Sequence, residues 1–233
     1  ELRARLYWCL GGLLIGFVIA FATYASYISY FISPFTEVLT DLGHNPELVN
    51  RGLTEAFMTK IQFSFMAALV LTFPLHLYHI TGFVIPALTK KEKNILGWIL
   101  AAGGCLFMAG LSMAYFVVLP LAVRFLLGTD LIVTGTEVEI DFQRNLMFSA
   151  KMMLAFAVLF QLPLVLVILM AFNIVKRATL LKFSRYFIVL IFVVSAIMTP
   201  PDIISQVALS VPLIVLYFLS IFVAKICGFG NPD

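Results

Sequence analysis

Breaking the chain at its charged residues leaves six apolar runs, at 6–36, 61–89, 94–123, 152–175, 186–201 and 203–224. Inside each run apolar residues occupy every face of a helical repeat. Strands of a membrane barrel would instead alternate apolar and polar residues over about ten positions. A run of about twenty apolar residues is long enough to cross the hydrocarbon as a helix, and a helix satisfies its own peptide groups where no water can do so. The pattern therefore predicts an all-α, polytopic membrane protein. Its six transmembrane helices are expected at approximately 6–33, 61–88, 94–123, 150–175, 186–201 and 203–224, in a single transmembrane domain spanning 1–233. The fifth run has only 16 residues between Arg185 and Asp202. That is roughly 24 Å of helix against about 30 Å of hydrocarbon, so this span is expected to thin the bilayer locally or to tilt against its neighbours.

Composition agrees with the pattern. Of 233 residues, 62% are hydrophobic and 12% charged, about half the charged share of a soluble domain. The first run is too long for a cleavable signal peptide. Because the sequence opens on Glu1 rather than Met, a few residues are expected to precede it. Cys9, Cys105 and Cys227 fall in or beside separate spans without metal-ligand spacing and are expected to be packing residues.

Charge sets the expected orientation. The N-terminus, the 89–93 turn, the 176–185 loop and the C-terminus together hold ten basic and three acidic residues, a net +7, and the remaining segments hold five basic and nine acidic, a net −4. Lys and Arg are enriched on cytoplasmic segments, so both termini are predicted to be cytoplasmic. The longer external segments, 37–60 and 124–151, are candidates for a cap. No repeat, second domain or soluble catalytic module interrupts the pattern.

Ionisable residues inside a membrane usually mark a transport or redox path. None of the six uncharged runs contains Asp, Glu, Lys or Arg, which leaves His76 and His79 in the second and Gln161 in the fourth. The two histidines share one helix face and could ligate a metal or haem, or simply hydrogen-bond near the interface. Gln161 is followed by Pro163, whose ring leaves the Leu159 carbonyl without its helical donor. A polar pocket there and a plain interhelical hydrogen bond both remain open.

The acids on the basic face are more informative than its net charge. Glu92 lies within Lys90-Lys91-Glu92-Lys93, and Glu1 stands beside Arg3 and Arg5. Two isolated carboxylates suit forked recognition of guanidinium groups, although rim salt bridges would use the same residues. No Gly-rich phosphate loop, nucleophile elbow, HExxH or CxxC motif occurs.

Three segments carry a resemblance. Glu1-Leu2-Arg3-Ala4-Arg5-Leu6, Phe83-Val84-Ile85-Pro86-Ala87-Leu88 running to Glu92, and Thr199-Pro200-Pro201-Asp202 with Gln206 and Pro212 are similar to the TatC family. That family is the signal-recognition subunit of twin-arginine protein translocation. The resemblance covers nearly the whole chain. It implies a concave, glove-like bundle with short fifth and sixth helices, a receptor rather than an enzyme, and export of folded proteins driven by the proton-motive force. Twin-arginine signal peptides would bind at the cytoplasmic face of the inner membrane through Glu1, Arg3, Phe83 and Glu92. Single-span partner subunits with amphipathic helices, self-association and membrane lipids are also implied, with no nucleic acid, cofactor or metal. Asp202 and Gln206 match the external end of the last two spans, where partners are expected. Family members often have Glu where this chain has Gln161, an intramembrane polar site at which Gln offers a neutral hydrogen-bonding shape that does not titrate.

Three rival classes remain open. A small-solute secondary transporter needs intramembrane charge or paired half-sequences, and neither is found. A haem-binding respiratory membrane anchor needs His76 or His79 to face a second ligand. A lipid-modifying enzyme has Asp202 as its best interfacial acid.

Overall fold

A computed structural model of the chain describes residues 2–41, 48–49, 52–84, 95–128, 140–198 and 203–230. Among these, six helical spans are long and apolar enough to cross a membrane: Arg3–Ala22, Leu53–Gly82, Leu100–Phe125, Phe142–Ala171, Arg177–Ile197 and Gln206–Ile226. The six crossings match the sequence pattern in number and order. Their limits differ, because a helix does not end where its first charged side chain begins.

The expected first span over 6–33 is two helices, α1 (Leu2–Ala22) and α2 (Tyr24–Asp41), separated at Thr23. The second span is α3 (Leu53–Val84), which begins eight residues before the expected start and carries Lys60. The third joins α4 (Ile95–Met113), a π-helical turn (Ala114–Val118) and α5 (Leu119–Gly128). The fourth joins α6 (Phe142–Leu159) and α7 (Leu162–Ala171), and so takes in Arg144 and Lys151. The fifth is α8 (Arg177–Met198) and the sixth α9 (Ile203–Ile226). The expectation of charge-free spans is therefore corrected: Lys60, Arg144, Lys151, Lys182 and Arg185 all lie on spanning helices. Long cationic side chains can keep their heads at the interface while their stems stay in apolar surroundings. At 22 residues α8 is about 33 Å long, enough to cross. The last two spans are nonetheless shorter than the second, third and fourth. Much of the expected external segments is likewise helical, in the ends of α2, α3, α5 and α6.

The chain forms two compact units, Glu1–Cys105 with Leu127–Leu154, and Leu106–Leu126 with Ala155–Asp233. In the first, α1 and α3 run antiparallel. Gly16 meets Ala68 and Thr72, Gly12 meets Leu75, and Arg5 meets Gly82. Gly12 and Gly16 are four apart and share a face, so the two backbones approach where no Cβ intervenes. A Cβ on Gly16 would stand 2.7 Å from Thr72 Cγ2. At the α1–α2 junction the Thr23 hydroxyl donates back to the Ile19 carbonyl at 2.8 Å, a local bond that bends helices. Tyr24, Tyr27 and Phe31 then gather around Phe63, with the Phe31 and Phe63 rings edge-to-face at 4.9 Å. Lys60 Nζ sits 4.2 Å above the centre of the Phe21 ring, a cation–π contact that suits a cation on a spanning helix. Two-residue strands β1 (Leu48–Val49) and β2 (Ile140–Asp141) pair in parallel and tie the two longest connections together. Asp141 then caps α6, accepting the Arg144 backbone N–H at 3.1 Å.

In the second unit the Leu119 N–H reaches the Ala114 carbonyl, one residue beyond the α-helical partner, just ahead of Pro120. A proline that cannot donate favours such a local adjustment. Helix α7 ends with Asn173 at φ 54° while the Ile174 N–H bonds the Leu169 carbonyl at 3.0 Å, the left-handed cap common at helix ends. Helices α8 and α9 form an antiparallel hairpin. The Ser210 hydroxyl lies 2.9 Å from that of Ser195. The tail after α9 turns through Gly228 and Gly230, and the Gly230 carbonyl accepts the Arg177 N–H at 3.1 Å, capping α8.

Candidate functional site

Helix α1 begins at Leu2 and α3 ends at Val84, and their antiparallel packing sets those two ends side by side. Arg3 is exposed on the first turn of α1. Two residues on, Arg5 is half-buried and lies against Gly82. Phe83 is the next residue of α3, placed by its backbone within the last turn. Glu1, Glu92 and the Phe83 side chain, expected in the recognition patch, lie outside the described residues, as does Asp202.

Gln161 sits at the break between α6 and α7, half-buried, with its Oε1 enclosed. The Gln161 N–H turns back to the Val158 carbonyl at 2.9 Å, and its own carbonyl accepts the Val165 N–H at 3.0 Å, so α7 starts afresh. Pro163 occupies the first turn of α7, where its missing N–H removes no bond. A cavity of about 200 Å³ beside the break is lined by Leu159, Leu162, Pro163, Phe187, Tyr217 and other largely apolar residues, and not by Gln161.

Gln206 is partly buried and its Nε2 donates to the Phe192 carbonyl at 3.0 Å. Together with the Ser195–Ser210 contact it fastens the start of α9 to the last turns of α8. Its amide thus has a partner within the chain. His76 Nδ1 stands 2.7 Å from the Thr72 carbonyl of its own helix, which fixes a proton on that nitrogen. His79 packs edge-on against Tyr78. Neither arrangement brings the pair onto a shared ligand. Among the described residues no group of three or more His, Cys, Asp or Glu is arranged to hold a metal ion. The cysteines, expected to pack inside, divide: Cys9 is half-buried, whereas Cys105 and Cys227 are exposed on the chain's surface.

Sequence reading overlooked Gly12, Gly16 and Gly82. The four-residue spacing of the first pair was the available signal. Arg5 counted there only as a charge.

Whole-chain comparison decides what these placements belong to. The sequence model of the TatC family, Sec-independent protein translocase protein, matches residues 1–212. The chain belongs to the TatC family. It is 34% identical over 216 residues to the Sec-independent protein translocase protein TatC of Carboxydothermus hydrogenoformans, spanning 91% of this chain and 85% of that one. It is 32% identical over 225 residues to the TatC of Escherichia coli strain K12, spanning 97% and 85%. A crystal structure of the twin-arginine translocase receptor TatC in DDM matches with a TM-score of 0.84 and 32% identity, over 100% of this chain and 98% of that one. Six spans in one order and a family match across the chain make this a multi-pass TatC-family translocase protein. A solute carrier or a haem anchor is not needed to account for it.

Proposed function

We propose that the chain is the receptor subunit of a twin-arginine translocase, lying in the cell's inner membrane with both termini cytoplasmic. It binds the paired arginines of signal peptides on cargo that is already folded. The basic excess on four alternate segments supports the orientation. The observation that carries the site is the contact of Arg5 with Gly82. Glu1 lies four residues before Arg5, and Glu92 ten residues after Gly82. The contact sets the first turn of α1 beside the end of α3, and the two carboxylates stand in sequence just before the one and after the other.

Each carboxylate takes one arginine as a forked pair, a charge-assisted arrangement contributing about 1.5 to 3 kcal/mol per bond. Lysine, a point charge without the fork, substitutes poorly. Arg3 and Phe83 complete the patch. The signal's apolar stretch then lies along the bundle toward Gln161. An opening for folded cargo is wider than six helices provide, so single-span partner subunits and further copies of this chain assemble around it. Such partners dock at the external end of the last two spans, which Asp202 and Gln206 match by family likeness. The chain performs no covalent chemistry, and the proton-motive force supplies the energy.

Photocrosslinking tests the path. A signal peptide with probes in its Arg-Arg segment and in its apolar stretch is expected to crosslink near Glu92 from the first and near Gln161 from the second. Crosslinks from the Arg-Arg segment that avoid the 83–92 region would overturn the assignment.

A further inference from the structure

Arg5 makes a contact that its charge alone does not predict. A Cβ built on Gly82 would overlap Arg5 Nη1 and would stand 3.3 Å from Cζ and 3.6 Å from Nη2. The Nη1 end of the guanidinium therefore fills the place that any side chain at position 82 would occupy. Gly82 lies two residues from the end of α3. The last turn of a helix presents carbonyls without intrahelical donors and the negative end of the helix dipole, and an arginine laid there is favourably placed for both. Arginine suits such a seat better than lysine, since its planar, weakly hydrated head carries several N–H donors in a fixed fork.

This contact also ends the α1–α3 seam. Gly16 and Gly12 set the close approach of the two helices further along, and the Arg5–Gly82 contact lies in the first turn of α1. Beyond it lie Arg3 on one helix and the backbone of Phe83 on the other.

We infer that Arg5, seated on Gly82, is a positioning residue for signal recognition: it holds the first turn of α1 against the end of α3, so that groups from both helices meet a signal peptide as one surface. The inference rests on the receptor reading above. Arg5 itself need not touch the peptide.

The test uses the full chain in lipid nanodiscs with two readouts. Leu6 and Ile80 are exposed near the two helix ends. Spin labels on Leu6→Cys and Ile80→Cys, with Cys9, Cys105 and Cys227 replaced, report the distance between them without any peptide. Binding of a synthetic signal peptide carrying Arg-Arg, with a Lys-Lys peptide as control, reports recognition. Arg5→Ala and Gly82→Ala should each broaden the distance distribution and weaken Arg-Arg binding about fivefold, the loss expected of one charge-to-helix-end interaction. The double variant should be no worse than the weaker single, because each change removes the same seat. Unchanged thermal unfolding separates this from misfolding, since displacing the end of a flexible side chain leaves the seam at Gly12 and Gly16 intact.

An unchanged distance distribution in Arg5→Ala would overturn the seat. A broadened distribution with unchanged binding would overturn its role in recognition, and additive losses in the double variant would show that the two residues act separately. If the unmodified chain binds both peptides equally, the receptor reading fails and the positioning role with it, while the distance readout still reports whether the seat exists.

Discussion

The Tyr217 hydroxyl donates a 2.8 Å hydrogen bond to the Leu180 carbonyl, joining α9 to the first turns of α8 at a buried point. Its ring stacks on Phe187 at 5.1 Å, so the residue contributes both packing and a polar tie. Tyr217→Phe keeps the ring and removes the bond. It should lower stability by about 0.5 to 1.5 kcal/mol in thermal unfolding of the detergent-solubilised protein, and a loss above that range would mean that the hydroxyl holds more than this carbonyl.

The α1–α3 seam makes a sharper prediction. Gly16→Ala should cost about 1 to 3 kcal/mol, since the new methyl group meets Thr72 Cγ2 at 2.7 Å in a packed interface. Gly11→Ala, on the same helix with no atom within 4 Å, should instead be neutral or stabilising by up to about 1 kcal/mol, the helix-propensity gain. Equal effects of the two substitutions would show that helix propensity, and not close approach, governs this helix.

Hydrogen bonds between spanning helices are individually modest. A double-mutant cycle of Ser195→Ala and Ser210→Ala should therefore return a coupling of about 0.6 kcal/mol. A coupling near zero would mean that both hydroxyls are satisfied by their own helices, at Ile191 and Gln206, and hardly at all by each other.

The number and order of the spans were legible because a continuous apolar run has few outcomes in a bilayer. Their limits were not, because Lys60 and Lys151 bounded the charge-free runs yet stay helical, Lys60 with its ammonium over the Phe21 ring. The break at Gln161 was foreshadowed by Pro163, a local effect. The bend at Thr23 was not, since it joins a weak local bond to an aromatic cluster whose centre, Phe63, comes from another helix. The seat of Arg5 depends on the antiparallel register of α1 and α3, which charge counting cannot supply. The carboxylates proposed for recognition, Glu1 and Glu92, rest on their oddity on a basic face and on family likeness, since both lie outside the described residues.

At the α6–α7 break a neutral hydrogen-bonding side chain should matter more than its identity. Gln161→Leu should weaken export more than Gln161→Glu. A carboxyl group away from water has its pKa raised, and its neutral form resembles Gln, so the Glu variant should approach wild-type export as pH falls and lose it as pH rises. Equal export by all three proteins would remove Gln161 from the working surface.

The central claim is that carboxylates on an otherwise basic face read paired arginines, and one binding measurement addresses it most directly. Affinity for an Arg-Arg signal peptide and its Lys-Lys counterpart is compared in the unmodified chain, in Glu92→Gln and in Glu92→Ala. The account predicts clear preference for Arg-Arg in the unmodified chain and loss of about tenfold or more in both variants, as expected when a charge-assisted pair is removed. Arg-Arg affinity unchanged in both variants would contradict it.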